Sequence, residues 1–181
     1  MDILAHTLWA AMGAQAARRS YSLTPRTVGL TAGLAAMPDL GHMLPVVGWA
    51  VFGDGSATKL WAYAVALPGQ EPAMPSMVAM LSHHLHCTLH SAIVAGVVTL
   101  LLWAVLRALW IPLLGWWSHI LIDIFTHSFD YYPAPIFYPI TQRGFDGIAG
   151  NSPWFIALNY LALAGTGWWL LLKLRDKGKR L

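Results

Sequence analysis

His119, Asp123 and His127 follow one another at four-residue intervals in the stretch Gly115-Trp116-Trp117-Ser118-His119-Ile120-Leu121-Ile122-Asp123-Ile124-Phe125-Thr126-His127, which is otherwise almost entirely apolar. On a helix each four-residue step turns about 40° and rises about 6 Å, so His119 and Asp123 share a face and His127 lies one turn further along it. Such an edge can hold a metal ion or handle a proton. Histidine with carboxylate suits zinc or another first-row metal better than calcium or magnesium, although the same Asp could instead orient an imidazole. In an apolar segment these groups are costly, about 2.5–3.5 kcal/mol for Asp at a bilayer centre on insertion scales, so they turn toward partners inside a bundle.

Three other stretches offer partners. His86 and His90 are an i, i+4 pair, the spacing by which two imidazoles reach one ion, with His83 one turn earlier and His84 pointing elsewhere. Taken alone, this His-rich run is as readily interface decoration as ligation. Asp39 and His42 follow Pro38 at i, i+3, which in isolation is an ordinary turn or cap signal. His6 by itself would be a satisfied core histidine. Ser91, Thr126 and Tyr138 could donate hydrogen bonds to a site built from these groups. No nucleophile elbow, Walker loop or zincin His-Glu-xx-His signature is present.

The elements that must carry these residues are apolar. Of 181 residues 57% are hydrophobic and only 10% charged, against about 25% charged in soluble domains, so the chain reads as one integral-membrane domain over 1–181. Met1-Asp2-Ile3-Leu4 lacks the basic start of a signal peptide, which predicts a mature N-terminus. The single Cys87 excludes an intramolecular disulfide. Arg18, Arg19, Arg26, Arg107, Lys173, Arg175, Lys177, Lys179 and Arg180, nine of the eleven basic residues, can be placed on one side, which the positive-inside rule makes cytoplasmic. No basic run is long or aromatic-rich enough to suggest nucleic acid, and the tail reads as a topology anchor.

The pattern predicts an all-α bundle of about five helices. They are a short helix over 3–17, a second opened by Thr24-Pro25 and broken at Pro38, a long one over 76–110, a fourth from Pro112 to about Phe129, and a final span over 154–174. Gly29, Gly33 and Ala36 are expected to allow close helix approach in the second. Outer loops over 53–75 and 130–152 join them, the first with an interfacial helix over 58–67. At 1.5 Å per residue, His6 stands about 18 Å above Arg18, Asp39 about 20 Å above Arg26, His90 about 26 Å above Arg107, and Asp123 and His127 about 18 and 24 Å above Ile111. His119 is deeper, at about 12 Å. Four helices thus bring ionisable groups to nearly one level in the outer half.

His6, Pro38-Asp39 with His42, His90-Ser91, and Ser118-His119-Ile120-Leu121-Ile122-Asp123-Ile124-Phe125-Thr126 followed by Tyr138-Pro139 resemble the membrane-bound metal-dependent hydrolase family, which includes LexA-regulated inner-membrane members. The resemblance spans residues 6–139, and its most specific part is the Ser-His-xxx-Asp-xx-Thr block. Gly41 stands where members commonly carry a second Asp. Leu85 departs from a His-Arg-Gly-type segment, so either His84 or His86 fills that place. The family is distantly similar to zinc-dependent phospholipase C and its nuclease relatives, whose helices hold up to three zinc ions. The resemblance implies His6, Asp39, His119 and Asp123 as ligands, with Asp123 able to bridge two ions.

Together these expectations describe a zinc hydrolase of the cytoplasmic (inner) membrane, with two or three zinc ions or another first-row metal, its site facing outward and its C-terminus cytoplasmic. His6, Asp39, His42, His86, His90, His119, Asp123 and His127 are the candidate ligands, with Asp39 and Asp123 the candidate catalytic carboxylates. Arg143, Tyr138 and Thr126 would contact a lipid or lipid-linked ester or phosphoester. The alternative from another class is a non-enzymatic metal or haem protein serving transport or electron transfer.

Overall fold

The computed structural model describes residues 1–18 and 20–178, with side chains to residue 175 apart from Arg19. Arg19, Lys179 and Arg180, invoked above as charge anchors, lie outside the described residues, as does the Lys177 side chain. Seven helices and no strand longer than an isolated bridge are found among the described residues. They are α1 (Ile3–Ala17), α2 (Pro25–Phe52), α3 (Ala57–Ala64), α4 (Ser76–Leu89), α5 (Ala92–Leu106), α6 (Leu113–Thr126) and α7 (Pro153–Gly178). The chain is all-helical as its composition predicts. The count exceeds five because the interfacial segment is a helix of its own, α3, and the expected long third helix is two.

Local chemistry sets the helix starts. Asp2 accepts the Ala5 amide at 2.9 Å and Thr24 the Thr27 amide at 3.1 Å, while Pro25 occupies the first turn, where its missing N–H costs nothing. Ser56 and Ser91 cap α3 and α5 in the same way. Each cap contributes about 1 kcal/mol.

Two helices, Pro25–Phe52 and Pro153–Arg175, are long and apolar enough to cross a membrane, and α4 with α5 makes a third if the bent pair is one span. The outward faces agree. Leu100, Leu101, Trp103 and Val105 of α5 and Leu158, Leu161, Trp168 and Trp169 of α7 are all exposed, the signature of helices whose solvent is hydrocarbon.

α2 is the hub, packed against α1, α4 and α6, with α1 also touching α6 and α7. It is not broken at Pro38. It runs through Pro38 and Pro45 as one 28-residue helix, the roughly 3 kcal/mol that an internal proline costs being offset by packing on three neighbours. The discontinuity lies instead at His90-Ser91, where α4 and α5 meet at 63°. The backbone groups it frees are satisfied one by one. The Leu89 carbonyl accepts the Trp116 indole N–H at 2.6 Å, the Ala92 amide donates to Ile136 O at 2.9 Å, and the Ser91 hydroxyl donates to Tyr138 O while capping Val94 N.

Close helix approach also occurs elsewhere than expected. A side chain at Gly29 or Gly33 would meet nothing within 4 Å, whereas a Cβ at Gly115 of α6 would lie 1.9 Å from the Thr31 carbonyl oxygen of α2. Only glycine fits at 115. The contact draws α6 onto α2 one turn before His119, and that seats the site.

Candidate metal centre

Five side chains from four helices converge in the space that this contact closes. His6 (α1), His119 and Asp123 (α6) and His90, at the α4–α5 break, are fully buried, and Asp39 (α2) is half-buried. Asp123 is the centre of the cluster. Its Oδ1 lies 2.9 Å from His6 Nε2 and 3.3 Å from His127 Nε2, and its Oδ2 lies 2.9 Å from His119 Nε2 and 3.5 Å from His90 Nε2. Asp39 Oδ1 stands 3.4 Å from His90 Nε2 and 3.7 Å from His119 Nε2. The rings of His6 and His119 stack with centroids 3.9 Å apart.

Backbone carbonyls fix the tautomers. Nδ1 of His119 donates to Ala35 O at 2.7 Å, Nδ1 of His90 to His86 O at 2.9 Å, and Nδ1 of His127 to Tyr132 O. A neutral imidazole that donates through Nδ1 presents a bare lone pair at Nε2, the arrangement that second-shell partners impose on metal-bound histidine. Yet Nε2 of His90 and Nε2 of His119 face each other at 3.1 Å, and both face carboxylate oxygens. Acceptor against acceptor in a buried site calls for a proton or a metal cation between them. His6 Nε2 and Asp123 Oδ2, despite their close neighbours, have no hydrogen-bond partner of proper geometry. Separations of 2.9–3.7 Å bracket the roughly 3.3 Å expected between ligand atoms around a tetrahedral ion with bonds of about 2.0–2.1 Å.

Two three-residue groups, His6–Asp39–His119 and His90–His119–Asp123, have ligating atoms within 4.8 Å of one another. These His/Asp groups can hold a metal ion, and both draw on His119, whose one free lone pair, at Nε2, serves a single ion. The donor set fits.

The remaining candidate residues occupy different positions. His127 ends α6 with extended backbone and reaches Asp123 from above the helix. His42 and His86 lie outside both three-residue groups, the His86 ring packed 4.1 Å from that of His90 and 5.2 Å from that of His42. His83 is exposed beside Cys87 Sγ, and His84 Nδ1 contacts the Tyr138 hydroxyl at 3.2 Å. Thr126 is buried with Oγ1 3.4 Å from Asp123 Oδ1. Tyr138 supports the helix break through its carbonyl. Arg143 is exposed and makes no ion pair among the described residues. The 130–152 loop closes the end of α6, Gly147, Ile148 and Gly150 donating their amides to His127, Phe125 and Thr126 carbonyls at 2.8–2.9 Å.

Three participants carry no sequence signal. One is the Ala35 carbonyl. Another is the Met1 amine, 3.2 Å from Asp123 Oδ1 and from Thr126 Oγ1. The third is Tyr131, whose ring lies 5.4 Å from that of His127 and whose phenol is pushed up by burial and by the carboxylates of Asp39 and Asp123. Comparison of the chain with protein-family models, with curated proteins and with solved structures gives no match.

Proposed function

We propose that the protein is a metal-dependent hydrolase of a biological membrane, with zinc or another first-row divalent metal held by His6, Asp39, His90, His119 and Asp123. The observation that carries the reading is the set of bare imidazole and carboxylate acceptors packed around one buried point, with Nδ1 of His90 and His119 already committed to carbonyls. Nitrogen and carboxylate donors in this proportion suit zinc. When bound, the metal supplies a water made acidic enough to act as a nucleophile near neutral pH and a Lewis acid for an ester or phosphoester oxygen.

The protein's residues do the rest. Asp39, the less buried of the two carboxylates, would either complete the metal's ligand set or accept a proton from an attacking water; its Oδ1, 3.4 Å from His90 Nε2, supports both roles. Asp123 would hold the imidazoles in register, with Thr126, buried against Asp123 Oδ1, and Tyr131, packed on His127, the candidate donors to a substrate oxygen. Arg143 would have to move inward to meet a phosphate. The segment 6–139 resembles the membrane-bound metal-dependent hydrolases, and a lipid or lipid-linked substrate reached from the outer leaflet of a cytoplasmic membrane follows from that resemblance and from the depth of the groups.

Haem fits less well. Two axial histidine nitrogens are separated by about 4 Å with the porphyrin plane between them, whereas those of His90 and His119 are 3.1 Å apart with carboxylates against them. Purified protein supplied with zinc should hydrolyse a short-chain phospholipid analogue, and chelation should stop it reversibly. Turnover that continues unchanged in excess chelator would reject the proposal.

A further inference from the structure

Two cavities flank the metal centre without covering it. The larger, about 490 Å³, runs between α1 and α6, walled by Ala10, Gly13, Ala14 and Ala17 on one side and by Leu114 and Ser118 on the other. The second, about 440 Å³, continues toward Met1, Thr126 and Phe155, and the two share Trp9 and Ser118 as wall residues. Leu114 to Thr126 measures about 18 Å along α6, slightly more than half of a ~30 Å hydrocarbon core.

The walls are mostly apolar even where the residues are not. Trp9 donates its indole N–H to Asn159 at 2.9 Å, Ser118 its hydroxyl to Gly115 O at 2.8 Å, and Thr31 its hydroxyl to Thr27 O at 2.9 Å, so these three polar groups turn away to protein partners, and Tyr21, at the far end from Thr126, brings the remaining hydroxyl. A Cβ at Gly13 would meet nothing within 4 Å, which leaves the floor open. The upper end is different. Met1 and Thr126 touch Asp123 directly, so a chain lying in the trough brings its polar head to the metal centre.

We propose that this α1–α6 trough holds one fatty-acyl chain of the substrate, with the scissile ester or phosphoester delivered past Met1 and Thr126 to Asp123. The proposal rests on the hydrolase reading for the word substrate. The occupant is a hydrocarbon chain because the trough is long and its wall between Tyr21 and Thr126 is predominantly apolar, and because one end opens at the site.

The test uses zinc-loaded full-length protein in phosphatidylcholine vesicles containing a phosphatidylcholine with a diazirine in one acyl chain. Adducts are mapped by mass spectrometry. Adducts should concentrate on Gly13, Ala14 and Leu114 over the lipid-exposed Leu161 of α7. Gly13→Leu, which fills the floor, should cut trough labelling about tenfold while labelling at Leu161 and metal content stay unchanged. Even labelling of trough and α7, labelling undiminished in Gly13→Leu, or Gly13→Cys chains that cross-link to one another in place of lipid would overturn the proposal. Hydrolysis of a water-soluble short-chain ester is followed in parallel. Turnover with even labelling removes the trough and leaves the hydrolase; trough labelling with no turnover removes the hydrolase.

Discussion

Nε2 of His90 and Nε2 of His119 lie 3.1 Å apart although each ring already gives its Nδ1 hydrogen to a backbone carbonyl. Two lone pairs cannot rest against each other in a buried site, and Asp39 and Asp123 add negative charge to the same space. The fold spends a helix break and a glycine contact on creating that juxtaposition. Its consequences can be measured.

Gly115→Ala places a methyl group 1.9 Å from the Thr31 carbonyl and must push α6 off α2. A stability loss of about 1–3 kcal/mol is expected, read as a lower thermal midpoint in detergent. Metal affinity should fall with it, because the shift stretches the His119–Ala35 hydrogen bond. Gly29→Ala, at an open position, serves as the control and should change neither.

Ser91→Ala removes both the cap on Val94 and the hydrogen bond to Tyr138 O. The expected cost is about 1–2 kcal/mol in stability, with metal affinity about 10–100-fold weaker because His90 is no longer held at the break. Isothermal titration with zinc checks the second number, and Ser91→Thr should restore most of both.

Tyr132 donates its hydroxyl to Glu71 Oε1 at 2.5 Å, and burial together with that carboxylate pushes the phenol above its ordinary range. The contact's contribution to stability is therefore complete below the ordinary value of about 10 and is lost as pH climbs through the raised value. In a spectrophotometric titration of tyrosinate, the wild-type minus Tyr132→Phe difference should rise later than a free tyrosine does. A difference curve centred at the free value would show that the 132–71 contact does not form.

Removing the metal should loosen the bundle. Ligand binding to the folded state alone stabilises by about 4 kcal/mol at a thousandfold excess over Kd, so chelator should lower the thermal midpoint and zinc should raise it again. An equal response in His119→Ala would show that the stabilising ion sits elsewhere.

Much of this was readable beforehand for a definite reason. The four-residue spacing of His119 and Asp123 survives any error in helix ends, and apolar helices turn their rare ionisable groups toward one another, so the convergence of His6, Asp39, His90, His119 and Asp123 could be anticipated. What could not be read was where backbone would yield. Pro38 looked like the break, but α2 is gripped on three sides and stays whole, while His90-Ser91, with no proline, bends because the 134–138 segment and Trp116 satisfy what it exposes. Gly115 looked unremarkable beside Gly29 and Gly33 because close approach depends on the neighbouring helix, which a single chain does not display. Backbone partners such as Ala35 O have no side chain to announce them.

The most direct test is metal content by elemental mass spectrometry on protein purified in detergent and desalted after zinc loading, for wild type and for the near-isosteric Asp123→Asn. At least one tightly held equivalent in wild type, lost in Asp123→Asn while helical circular dichroism is preserved, is the predicted result. Wild-type protein without stoichiometric metal, or Asp123→Asn retaining all of it, would contradict the account.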